Sequence, residues 1–152
     1  MGIFDSFEIS ASGMTAQRDQ MDLISSNIAN VNTTHTVAGG PYRRQMALFQ
    51  EKIDFNEYFT TAAFSFDDGN SEDHTIGSGV SAAGVVKDPS PLKKVYDPHN
   101  PDADEHGYVS MPNVDLITEM TNMIQASRAY EANATAIDAT KAMLNKAIDI
   151  QR

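Results

Sequence analysis

The chain has 152 residues, no cysteine, no tryptophan and a formal net charge of −10, with hydrophobic residues at 41%. That is the size of one ordinary domain, and a chain without cysteine holds no disulfide, no thiolate zinc site and no thiol nucleophile. Lys and Arg adjoin only at Arg43-Arg44 and Lys93-Lys94, which excludes a sequence-independent grip on nucleic acid and an anionic membrane surface as a partner.

The opening ten residues carry Asp5 and Glu8 and lack both a basic n-region and an apolar h-region, so they do not read as a secretory signal. No run of the chain approaches the length of a membrane span, and no direct membrane insertion is expected. Residues 1–6 fit an N-acylation pattern only loosely, and a helix explains Ile3, Phe4 and Phe7 better. Phe7, Met14, Met21 and Ile28 recur every seven residues, with Ile3, Ile24 and Val31 on the adjoining line. This is one narrow apolar stripe along a helix, closer to a coiled-coil seam than to a broad globular face. Asn30, Asn32, Thr33 and Thr34 then stop it by competing for backbone hydrogen bonds.

Residues 34–113 hold all 6 prolines and most of the glycines. Two strands are expected at 43–50 and 80–86, with a third around Val95 and Tyr96. The stretch 60–77, with Asp67, Asp68, Glu72 and Asp73, reads as an exposed acidic loop, and residues 88–107 as extended and turn-rich. The second helical segment starts near Pro112 and Asn113, with Asp115 and Glu119 at the positive end of its dipole. Leu116, Met123, Tyr130, Ile137 and Leu144 are seven apart, and Met120, Ala134 and Ile148 fill a line four positions on, interrupted by Ser127 and Lys141. A helix from 114 to 152 would be a rod of roughly 50–55 Å.

The expected architecture is mainly α: a helix over 1–33 and a helix over 111–152, paired as an antiparallel coiled coil, with an irregular, β-rich middle over 34–110. Ala126, Ala129, Ala132, Ala136 and Ala139 flank the second stripe and are expected to stay exposed, where small residues admit other helices. A chain of this kind completes its burial against copies or relatives, and a head-to-tail contact that does not close gives a filament.

No cofactor, metal or catalytic site is expected. Asp97, His99, Asp102, Asp104 and His106 lack the spacing of a ligand set, and Pro98 and Pro101 hold that stretch open. His35 and His74 accompany no nucleophile motif, and Gly77-Ser78-Gly79 is a turn rather than a dinucleotide fingerprint. Met120, Met123 and Met143 at helical spacing read as core.

The run Ser12-Gly13-Met14-Thr15-Ala16-Gln17, continuing through Ser26-Asn27-Ile28-Ala29-Asn30-Val31-Asn32-Thr33, resembles the N-terminal signature of the flagellar rod, hook and hook-associated family. Gly39-Gly40-Pro41-Tyr42-Arg43-Arg44-Gln45, Tyr96-Asp97-Pro98, Gly107-Tyr108-Val109, Met111-Pro112-Asn113-Val114-Asp115 and Ala126-Ser127-Arg128-Ala129-Tyr130-Glu131-Ala132-Asn133 resemble its proximal-rod members. The acidic stretch 60–77 is where the chain departs from the family pattern.

The resemblance implies a structural subunit of the proximal rod, the drive shaft that transmits torque from the membrane ring to the hook. It implies export without a cleaved signal through the flagellar type III apparatus, and a place in the periplasmic rod. The implied partners are other copies of the chain, rod proteins of the FlgB, FlgF and FlgG types, and the rod-to-ring adaptor FliE. The expected assembly interface is Phe7, Met14, Met21 and Ile28 against Leu116, Met123, Tyr130, Ile137 and Leu144, whose interdigitation would fix register. Asn27 and Asn30 are expected either to cap the helix or cross-bond neighbouring backbones or to be ordinary fraying residues of its C-terminal end, and Arg43 and Arg44 to reach acids on a neighbour or line a solvated strand edge. A soluble coiled-coil adaptor or secretion chaperone shares the acidity and the helices, but not this signature.

Overall fold

The computed structural model describes residues 3–52 and 79–150, so the acidic stretch 60–77, His74 and Gly77 lie outside the described residues. Helix α1 spans Ile3–Ala29. Its end is built by Asn30, whose Nδ2 donates to the Ser26 carbonyl at 2.9 Å while its Oδ1 accepts from the Thr33 hydroxyl at 3.2 Å. The same carbonyl takes the Asn30 amide at 3.1 Å, so side chain and backbone close one turn together.

Strand β1 (Gln45–Glu51) pairs antiparallel with β2 (Val80–Lys87), Gln45 opposite Lys87 and Glu51 opposite Val80, with a bulge between Leu48 and Phe49. A second hairpin joins β3 (Lys93–Tyr96) to β4 (Tyr108–Met111). Tyr96 and Tyr108 face each other across it in an edge-to-face pair with centroids 5.3 Å apart. Gly107 turns the chain into β4 at φ +76°, and a Cβ there would meet the Tyr96 ring at 3.0 Å.

Helix α2 spans Leu116–Ile150, 35 residues, and is about 52 Å long. Asp115 caps it: its carboxylate accepts from the Thr118 hydroxyl at 2.6 Å and from the Ile117 amide at 3.3 Å. The Thr118 hydroxyl holds the Asp115 carboxyl below the usual carboxylate range against the opposing effect of burial, with lesser help from the Ile117 and Thr118 amides.

The two helices lie against each other. Asn27 bonds Glu119 near one end of the contact, and Gly13 meets Asn133 further along, where a Cβ would sit 2.8 Å from Asn133 Nδ2. The absence of a side chain at Gly13 is therefore what leaves room for the Asn133 amide against α1. β1 and β2 pack on another side of α1, tied by the Val80 amide, which donates to Ser12 Oγ at 3.1 Å. The buried apolar residues are Ala16, Ile24, Tyr42, Val109 and Ala126, and with them are buried Ser10, Asn27, Glu119 and Thr140.

Several expectations are corrected. α2 starts at Leu116, because Asp115 rather than Asn113 supplies the cap. β4 was not expected, and it exists because Gly107 and the Tyr96–Tyr108 pair close a hairpin across the turn-rich stretch. The line of α2 that joins Met123, Tyr130, Ile137 and Leu144 toward α1 is Glu119, Ala126, Asn133 and Thr140, not the line of Met120, which is 53% exposed. Ala126 is accordingly buried rather than exposed, while Ala132, Ala136 and Ala139 are exposed. Met120 and Met143 are surface residues and not core.

Candidate functional site

The most constrained place in the molecule is a buried polar hub where both ends of the chain meet the middle. The turn after α1 returns the chain to its own helix, the Tyr42 amide donating to the Thr33 carbonyl at 3.0 Å. That return sets Tyr42, Arg44 and Gln45 beside Asn27. Asn27 is 1% exposed and makes four hydrogen bonds. Its Nδ2 donates to the Gln45 carbonyl at 2.8 Å and to Glu119 Oε2 at 3.0 Å. Its Oδ1 accepts from the Tyr42 hydroxyl and from the Gln45 amide, both at 2.9 Å. Two donors and two lone pairs are the whole capacity of an amide side chain, and the partners admit only this orientation of it.

Glu119 is fully buried, and Arg44 neutralises it. Arg44 Nε and Nη2 converge on Glu119 Oε1, each at 2.7 Å, while Nη1 lies 3.1 Å from Met46 Sδ and 3.7 Å from Asp88 Oδ2. The strand end is held in turn. The Arg44 amide donates to Asn113 Oδ1 at 2.9 Å, and the Asp88 amide to the Arg44 carbonyl at 2.8 Å. Ser90 folds back onto Asp88 through its hydroxyl and its amide. Those two bonds, with Arg44 adding, hold the Asp88 carboxyl below the usual range against a smaller opposing effect of burial. Arg43 donates to the carbonyls of Asp88 and Ser90 at 3.3 and 3.4 Å.

Nothing in this hub is arranged for bond-making chemistry. An Asn, a Tyr and a neutralised Glu–Arg pair with every bond directed inward form a fastener. Beside it, an open cleft of about 640 Å³ carries Arg43 and Lys87 among its lining residues, but no carboxylate and no histidine. The carboxylates of the Asp97–Asp104 stretch are engaged in hydrogen bonds: Asp97 accepts from the His99 amide, Asp102 from the Thr34 hydroxyl and Asp104 from the Glu105 amide, while the Asp102 amide donates to Asn100 Oδ1.

The residues expected at an assembly interface fall into three groups. Asn27, Asn30, Arg43 and Arg44 direct their hydrogen bonds to their own chain, Asn27 deeply and the others part-way. Met14, Met21, Ile28, Met123, Ile137 and Leu144 are half-buried along the helix pair. Phe7, Leu116 and Tyr130 are exposed, at 45%, 43% and 38%. Leu116 belongs to an outward patch on the first turns of α2 with Ile117, Met120 and Ile124, the last three more than half exposed. Sequence reasoning missed Tyr42, Asp88, Asn113 and Glu119. The available signal was Glu119 itself, a carboxylate within the apolar stripe that calls for a buried partner.

Two family models match the chain at its ends: "Flagella basal body rod protein" over residues 7–34 and "Flagellar basal body rod FlgEFG protein C-terminal" over residues 105–150. The flagellar basal-body rod protein FlgC of Borreliella burgdorferi is 47% identical over 154 residues, covering 99% of this chain and 98% of its own. That of Bacillus subtilis is 44% identical over 154 residues, covering 99% of each. That of Salmonella typhimurium is 35% identical over 150 residues, covering 99% of this chain and 98% of its own. The hub residues Asn27, Glu119 and Asn113 lie within the two matched segments, and Tyr42 and Arg44 lie between them.

Proposed function

The chain belongs to the FlgC family of flagellar basal-body rod proteins, and from that premise we propose that it builds the rod through its paired terminal helices. It is a structural subunit of the flagellar basal-body rod. In the proposed arrangement α1 and α2 form an antiparallel coiled coil within each subunit. The pair packs against copies of itself and against rod proteins of the FlgB, FlgF and FlgG types, with FliE joining the rod to the membrane ring. The subunit acts by stiffness and carries no catalytic site. It leaves through the type III export apparatus without a cleaved signal peptide and takes its place in the periplasmic rod, passing torque toward the hook. Residues 1–33 and 111–152 are its assembly core and 34–110 a middle module.

One observation carries this reading: Leu116, Ile117, Met120 and Ile124 stand exposed together on α2, next to the hub that immobilises the helix. Contiguous exposed apolar surface on a small protein marks an interaction site. A force-bearing contact needs such a patch on a rigid element. The test is electron microscopy of cell envelopes from a strain lacking only this gene, complemented with the native chain or with Ile117→Glu/Ile124→Glu. The reading expects rods from the first and basal bodies ending at the membrane ring from the second. Complete rods from the charged variant would overturn the assignment of the patch, and complete rods without complementation would overturn the rod role.

A further inference from the structure

We propose that the Asn27–Glu119–Arg44 hub is a rotational lock, selecting which of two seams α2 presents to α1. Both seams contain Met123, Tyr130, Ile137 and Leu144. In the structure the second line is Glu119, Ala126, Asn133 and Thr140, of which Glu119, Ala126 and Thr140 are buried and Asn133 abuts Gly13. The competing line lies one position on: Met120, Ser127, Ala134, Lys141 and Ile148. Turning α2 by about 50° on its axis exchanges one for the other.

Apolar burial alone favours the competitor, which would cover Met120 and Ile148, now 53% and 65% exposed. Lys141 is no barrier to it, since a long stem can pass along the seam and keep its ammonium in water. The observed seam instead buries a carboxylate and a hydroxyl and half-buries an amide. What holds it is the set of bonds Glu119 makes: 2.7 Å to Arg44 Nε and Nη2 and 3.0 Å to Asn27 Nδ2. A 50° turn would carry Glu119 away from both. Fixing register is the best-attested use of a buried polar group in a helix pair. The lock gives up apolar burial and keeps Met120 on the outside with Leu116, Ile117 and Ile124. Only that last consequence rests on the assembly reading, and the choice of seam does not.

The test exploits a chain without cysteine. The full chain, as dilute monomer, receives Gly13→Cys with either Asn133→Cys or Asn133→Ala/Ala134→Cys, so that neither pair keeps the Asn133 amide against residue 13, and is treated with a mild oxidant. Gly13 lies about 21 Å along α1 from Asn27, so crosslinking there reports the turn of the whole helix and not damage at the hub. With Glu119 intact, the 13/133 pair should close about tenfold more readily than 13/134. In Glu119→Leu the preference should invert, and in Glu119→Gln, which keeps the Asn27 bond and loses the charge, it should lie between. Circular dichroism establishes that each variant is folded, and Glu119→Leu/Arg44→Met replaces the single variant if that does not fold. A folded variant that still prefers 13/133, or that closes neither pair, overturns the lock. A failure of the assembly reading would show in rods by microscopy and leave this ratio untouched.

Discussion

Glu119 sits where a helix stripe would ordinarily place leucine, and its cost is offset only while Arg44 is present. Removing one partner of a buried ion pair is far worse than removing both, because a charge is then left in a medium that cannot solvate it. Arg44→Met should therefore destabilise the chain by about 3–5 kcal/mol, measured by urea denaturation. Adding Glu119→Leu to it should recover most of the loss. A double variant as unstable as the single one would locate the energy in Arg44's approach to Asp88 and Met46 instead. Asn27 explains why the arrangement is so specific: with all four of its positions used, no shift of β1 or α2 relative to α1 leaves it satisfied.

At the scale of elements, Asp115 governs the start of α2 and gives it a pH dependence. Thr118 and the neighbouring amides bond the ionised carboxylate, so the folded group holds its proton less tightly than the unfolded one. Stability from this cap is fully present above the ordinary carboxylate range and is lost as pH falls through the lowered folded value. Asp115→Asn keeps the capping oxygen without the charge, so its melting temperature should fall less steeply than the native one below about pH 4. Parallel acid limbs would assign the pH dependence to Asp88 or other carboxylates. The existence of both helices, three of the four described strands and the Asn30 stop was legible, because seven-residue spacing and turn chemistry are local. The working face of α2 was not. Periodicity ranks residues by apolarity and so selected Met120, whereas the packed line is chosen by small size at Gly13 and Ala126 and by a partner for Glu119 that lies 75 positions away. β4 escaped for a related reason: four residues carry little pattern, and their pairing depends on an aromatic contact across a turn.

For the whole molecule, the described buried apolar set is thin, three of its five members being Ala or Val. If assembly supplies burial that the free subunit lacks, as proposed, mass action makes stability concentration-dependent. The melting temperature of the native chain should rise over about a hundredfold increase in concentration, while that of Ile117→Glu/Ile124→Glu stays flat. A flat native chain would mean that copies do not associate through this patch. The hub has a consequence for timing as well. Its bonds join residues 15 to 92 positions apart, so closing it requires a long loop whose entropy is spent before any reward arrives. A chain delivered through a narrow passage from either end cannot complete that circuit until residues on both sides of the middle have emerged. A subunit exported as proposed would thus stay pliable in transit and become rigid on arrival, with no separate trigger.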